Sequence, residues 1–324
     1  MRAADPDFVT PTGEVFTRTH VGVPQVDAAT WSLTVEGLVA HPLRLDLESL
    51  HALPATRLTA FHECFGSPFA PDVPVRAVAN VRWLGVPLAR LLDDAAPHAD
   101  AAHIWFEGVD HGTFHGTPDV RYLKDLPLET AYRDVLLAYA MNGAPLEPVH
   151  GFPVRAVVPR MFGTNSVKWL RRIVVSDTRP DHLFTTQLYN RRQPGSERLQ
   201  PVREVDVNSV LVAPREEGEL AAGVLEMSGW AWSVTEVVAV EIAVNEGPWE
   251  AARLDERGPE PTWQRFTLSR RFEPGRHRIR CRAHDRAGRV QPGPGSRNSV
   301  QEIVVQVRDR APRGSSARTD AGPR

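Results

Sequence analysis

Apolar and polar positions alternate differently in the two halves of the chain. In the first half, WSLTVEGLV places Trp31, Leu33 and Val35 at every second position, which predicts a strand with one buried face. DLESLHAL opens on Asp46, an N-cap for a short helix. GVPLARLLDDA sets Pro87 at a first helical turn with Leu88, Leu91 and Leu92 on one face. FPVRAVVP and RIVVSD read as further strands. Regular strand–helix alternation is absent, and so is a glycine-rich dinucleotide fingerprint. The expected class is α+β.

After Tyr189 the pattern changes. NRRQPGSERLQPVRE is polar and reads as a linker, and from about Val205 only strand patterns remain. VLEMSGWAW comes first, then VVAVEIAV with Val238, Val240, Ile242 and Val244 on one face and a turn at Asn245–Pro248. WQRFTLSRRF, RHRIRCRAHD and QEIVVQV complete an immunoglobulin-like sandwich. The expected division is residues 1–198, residues 199–308, and a disordered tail at 309–324 without large apolar residues.

Composition narrows the function. The chain has 324 residues, 42% of them hydrophobic, enough for two cored domains. A net charge of −2 provides no basic field for nucleic acid. No apolar run reaches membrane-spanning length. The opening MRAADPDFVTP has neither an apolar leader core nor a twin arginine, so the expected compartment is cytoplasmic as the sequence stands, or periplasmic if a leader was removed. Of 38 basic residues only Lys124 and Lys168 are lysines.

The two cysteines differ in setting. Cys281 alternates with arginines in RHRIRCRAHD and reads as a small core residue. Cys64 leaves an apolar segment and enters Gly66, Ser67 and Pro68; its position suits a buried thiol or a displayed reactive one. One cysteine with scattered histidines does not make a zinc site, so a metal on Cys64 needs a cofactor to complete its coordination. Arg18 and His20 share one side of an extended segment. Asp110 and His111 fall in a glycine-rich loop, His150 and Arg155 flank a strand entrance, and Gly163, Ser166 and Lys168 enter another strand. Together these types suit a phosphate and a polar heterocycle.

FTRTH, VRWLGVPLARLL, VLLAYAMNGAPLEPVHGFPVRAVVP and NSVKWLRRI follow one another along the chain, and MSGWAWS, RAHDRAGRVQP and RNSV follow in the second half. In these motifs the chain resembles the sulfite oxidase family of molybdopterin-dependent oxidoreductases over nearly its whole length. The resemblance implies a molybdopterin-binding catalytic domain followed by an Ig-like dimerisation domain, and hence a homodimer. It implies a molybdenum cofactor with Cys64 as the protein's metal ligand. Phe16, Arg18, His20, Asp110, His150, Arg155, Ser166, Val167 and Lys168 match cofactor-binding positions. Arg18 also matches a substrate-pocket position, and Tyr189, 21 residues after Lys168, matches the active-site tyrosine. No haem motif C-x-x-C-H is present, so electrons are expected to leave to an external electron-transfer protein.

The motif around the cysteine departs from the family. Where the family continues with C-A-G-N-R-R, this chain reads CFGSPFAP, so Pro68 and Phe69 stand at the two arginine positions. A tryptophan–arginine pair of the second domain becomes Trp263–Gln264, with Arg265 adjacent. The anion pocket has therefore lost a cation unless Arg76, Arg160 or Arg265 replaces it, and each lost charge-assisted contact is worth about 1.5–3 kcal/mol. The expected function is two-electron oxygen-atom transfer of the sulfite oxidase type with an altered anion pocket. The competing expectations are a reductase of sulfoxides or other oxo-substrates, and a non-catalytic binding protein that has lost its metal.

Overall fold

The computed structural model describes residues 8–66, 77–192, 195–215 and 218–309. The first half is built on two sheets. One orders its strands Leu43–Asp46, Ser32–Gly37, Leu170–Ser176, His103–Phe114 and Thr117–Pro127. The other runs Thr56–Glu63, Val78–Pro87, Leu136–Met141 and Ala144–Pro145, with Arg155–Val157 also pairing with Leu136–Met141. Trp31, Leu33 and Val35 are buried together, as their spacing requires. Asp46 caps the helix Leu47–His51 by accepting from the Ser49 N–H at 2.8 Å. Pro87 immediately precedes the helix Leu88–Ala95, whose Leu88, Leu91 and Leu92 are buried.

The second half is an immunoglobulin-like sandwich of a four-stranded and a five-stranded sheet. Met227 and Phe266 from one sheet meet Val240, Ile242, Ile279, Cys281 and Val305 from the other in a common core. One face assignment is corrected. A register shift between Val237 and Ala239 turns Val237 inward and leaves Val238 50% exposed, while Val240 and Ile242 stay in the core. A second correction concerns the polar stretch after Tyr189. It is not an unstructured linker, because Asn190–Arg192 and Leu199–Pro201 pair as a two-stranded ribbon. The tail from 310 lies outside the described residues.

The halves share an apolar core. Phe61 and Phe162 pack with Trp230, Trp232 and Trp263, and the Trp230 and Trp263 rings stack 4.7 Å apart. Beside this core the strand Thr56–Glu63 is tied to the second half. The Thr59 N–H donates to Glu260 at 2.6 Å, and the Phe61 N–H donates to the Pro261 carbonyl at 2.9 Å. At the strand's end Glu63 is wholly buried. It accepts from Arg297 Nη1 at 2.9 Å, from Trp232 Nε1 at 2.8 Å and from Asn208 Nδ2 at 3.4 Å. All three donors belong to the second half.

This arrangement sets a stability prediction. Arg297→Met removes the cation from a carboxylate that has no access to water, which costs about 3–5 kcal/mol. Adding Glu63→Gln removes the stranded charge and recovers much of that loss. Urea unfolding of the two variants checks both statements; equal stability of Arg297→Met and the parent chain would contradict them.

Candidate functional site

Cys64 follows directly on the strand Thr56–Glu63, so the clamp on Glu63 sets where the thiol stands. Its paired strand Val78–Pro87 contributes Trp83. Asp110 lies on His103–Phe114 and Tyr122 on Thr117–Pro127. His150 ends the 3-10 turn Pro148–His150, and Arg155 begins the strand five residues later. Between them Gly151 has φ +107°, and an added Cβ would stand 3.0 Å from the Lys168 Cβ and 3.2 Å from the Arg155 Cβ. Glycine there lets the backbone pass close to both cations. Ser166 and Lys168 follow the turn Gly163–Asn165, and Phe16, Arg18 and His20 lie along an N-terminal segment without regular secondary structure. Tyr189 follows a π-helical turn, Leu183–Gln187, and has φ 56°.

These side chains line one cavity of about 440 Å³, the size of a small-molecule site. One end is cationic. Arg155 is buried and donates to the carbonyls of His150 at 3.0 Å and Ser166 at 3.3 Å. Its guanidinium stands 5.0 Å from the Trp83 ring. Burial pushes Arg155 down to about 10 and, helped by Arg155 itself, Lys168 down to about 7. His62, stacked on Phe16 with centroids 5.6 Å apart, is pushed down to about 3, chiefly by burial. Burial also lowers His150. Asp110 is driven the other way, up to about 6. Positive groups thus crowd a desolvated space with one carboxyl among them.

The other end is aromatic. Tyr189 Oη and His20 Nε2 lie 2.5 Å apart. Burial, then the charge of Lys124, holds His20 down to about 4, so the ring is neutral at pH 7. His20 stacks on Tyr122 with centroids 4.8 Å apart, and the Tyr122 hydroxyl donates to the Thr164 carbonyl at 2.7 Å. Burial raises both the Tyr189 phenol and the Cys64 thiol. The backbone N–H of Gly66 and the charge of Arg18 act the opposite way on Cys64, favouring its thiolate.

Among the described residues, three buried polar atoms on residues that line the cavity lack a protein partner: Arg155 Nε, Trp83 Nε1 and Asp110 Oδ1. Buried donors and acceptors without partners are costly, so the cavity suits a group that offers both kinds of bond and negative charge. A phosphorylated pterin has a heterocycle edge and an anionic phosphate, and Cys64 offers one soft sulfur donor in the lining for a metal. The residues fit a molybdenum–pterin group. Among the described residues no cluster of three or more His, Cys, Asp or Glu could hold a metal without one.

The structure gathers Phe16, Arg18, His20, Cys64, Asp110, His150, Arg155, Ser166, Lys168 and Tyr189 around this cavity. Val167 is different. It is fully buried in the hydrophobic core, and its carbonyl accepts from the Ala156 N–H at 2.8 Å. Asp110 and His111 sit within a strand, not in a loop, and His111 turns outward to Asp119 at 3.1 Å. Neither Arg160 nor Arg265 reaches the lining; Arg265 faces Glu226 at 3.6 Å, and Gln264 is bonded to Val237 and Asp255. Ser67, Pro68, Phe69 and Arg76 lie outside the described residues. Sequence reasoning missed His62, Tyr122 and Thr164. Alternation along Thr56–Glu63 and Thr117–Pro127 places two of them on a face but says nothing about a cavity there.

The family described as oxidoreductase molybdopterin binding domain matches residues 20–184, and the Mo-co oxidoreductase dimerisation domain matches 200–306. Human mitochondrial sulfite oxidase is 30% identical over 321 residues, covering 88% of this chain and 58% of the relative. The chain therefore spans little more than half the length of that relative. Sulfite oxidase of Gallus gallus is 34% identical over 317 residues, covering 88% and 68%. The solved sulfane dehydrogenase SoxCD of Paracoccus pantotrophus superposes with TM-score 0.83 at 27% identity, over 95% of this chain and 85% of that one. With both domains matched in order around such a cavity, the chain belongs to the sulfite oxidase family of molybdopterin-dependent oxidoreductases.

Proposed function

We propose that this oxidoreductase oxidises a small sulfur-centred anion by two-electron oxygen-atom transfer. The observation that carries the reading is the cavity itself: buried cations, residues that bear unpartnered polar atoms among the described residues, and Cys64 line one space. The relatives that act on sulfite, and the neighbour named for sulfane, support sulfur as the substrate centre. When bound, the molybdenum–pterin group supplies the two-electron couple and the oxygen-atom exchange.

The chain's own residues hold, orient and shield. Arg155, Lys168 and His150 would take the phosphate, and Asp110 and Trp83 the polar edge of the pterin. Cys64 would bind the metal and tune it by thiolate donation. Arg18, exposed along the lining, would hold the substrate's charge. Tyr189 would donate its hydroxyl proton in a hydrogen bond to a substrate oxygen, with neutral His20 as its neighbour. Electrons pass to an external electron-transfer protein, and the second domain pairs two chains. Phe65 and Phe114 in the lining favour a less charged substrate as the second reading, a sulfoxide reduced at the same site.

Cys64→Ser should abolish turnover of sulfite with an acceptor dye while leaving the circular dichroism spectrum intact, because a hydroxyl is a poor soft-metal donor. Persistent turnover would remove Cys64 from the metal. Arg18→Met should raise KM for sulfite by about one to two decades, the equivalent of a lost charge-assisted bond of about 1.5–3 kcal/mol, and leave KM for dimethyl sulfoxide nearly unchanged. Equal effects on both substrates would deny Arg18 its role. Light scattering should give twice the chain mass of 36.0 kDa. A monomer mass would refute the pairing.

A further inference from the structure

Lys124 has entered so far only through its charge beside His20, yet it is 2% exposed and one of only two lysines in the chain. A buried ammonium is costly unless its hydrogen bonds are met. The neighbouring Asp125 carboxylate is taken up by Arg179 at 2.8 Å and by Arg203 at 3.0 Å. Lys124 instead donates from Nζ to the Phe184 carbonyl at 2.6 Å. The same ammonium lies 4.9 Å from the centroid of the Tyr189 ring, within cation–π range.

Both contacts fall on one irregular piece of backbone. Phe184 sits inside the π-helical turn Leu183–Gln187, a geometry that is rare and concentrated at functional sites. Tyr189 follows it in the left-handed region, where a side chain is held only if its surroundings enforce it. Around this turn, Asn190 Nδ2 donates to the Thr185 and Leu188 carbonyls at 3.1 and 2.9 Å, and Arg179 Nη2 donates to Thr185 at 3.0 Å. Lys124 is the group that grips the turn and the phenol ring together.

We propose that Lys124 is a positioning residue for Tyr189: it fixes the turn through the Phe184 carbonyl and backs the phenol ring, so that the hydroxyl stays beside His20 and faces the cavity. This rests on the reading of Tyr189 as a substrate-facing group. Lys124→Met removes the donor and the charge at similar length; Lys124→Gln keeps a donor without charge.

The test uses the full chain, with and without its cofactor. Hydrogen exchange over residues 183–190 should quicken about tenfold in Lys124→Met and less in Lys124→Gln, with strand Gln264–Phe272 unchanged. In the loaded protein kcat for sulfite should fall about tenfold at unchanged molybdenum content, since a small misplacement of a reacting group is costly. In a Tyr189→Phe background the same Lys124→Met change should cost less than about twofold, because its effect runs through the hydroxyl. Unchanged exchange at 183–190, or equal losses in both backgrounds, would overturn the proposal. If Lys124→Met unfolds, Lys124→Gln carries the same comparisons. A chain that never takes up molybdenum would count against the proposed function, while the exchange experiment on the cofactor-free protein would still decide the role of Lys124.

Discussion

The buried carboxylate of Glu63 joins the two halves of this protein. It ends the strand that leads into Cys64, and among the described residues every side-chain donor to it comes from the sandwich domain. A charge without water is tolerable only with its partners in place. The sandwich must therefore dock correctly before Cys64 has a defined position. Arg297 strengthens the link, because its guanidinium also lies 4.2 Å from the Phe162 ring and bonds Asp206 at 3.3 Å. The domain matched as a dimerisation module thus helps to build the site as well.

The cavity depends on the opposite condition. There the polar groups are incompletely satisfied by the protein, and the burial that depresses the cations also raises Asp110. A core built only for stability would pair or remove such groups. Groups left in this state fit the proposed site, one completed by a bound anion. In the proposed reading the aromatic end, with neutral His20 stacked on Tyr122 and bonded to Tyr189, would supply orientation and a proton donor without adding charge.

Much of this was legible in the sequence for identifiable reasons. Trp31, Leu33 and Val35 announce their strand because burial and period two coincide, and Asp46 announces its helix because an N-cap is a local bond. Asp110, His150, Arg155, Ser166 and Lys168 stand out as local clusters of polar and charged types, but only the motif resemblance relates the clusters to one another, because their meeting at one cavity is a matter of tertiary structure. The polar stretch after Tyr189 reads as a linker because the ribbon's pairing, Asn190–Arg192 with Leu199–Pro201, leaves no apolar alternation to read, and the turn before it is gripped by Lys124, 60 residues away in sequence. Val238 escaped because a bulge is a property of the pairing, not of one strand's pattern. Val167 shows the limit of transferring a motif: it lies within the matched run, but its side chain belongs to the core.

The claim on which all of this converges is that the cavity holds a molybdenum–pterin group through Cys64 and the buried cations. Its most direct measurement is the metal and pterin content of the full chain purified from a host that makes the cofactor, beside an Arg155→Met variant. The account requires about one molybdenum and one pterin per folded parent chain, and a content lowered about tenfold or more when the buried guanidinium is removed. A correctly folded parent chain that carries neither metal nor pterin would contradict it.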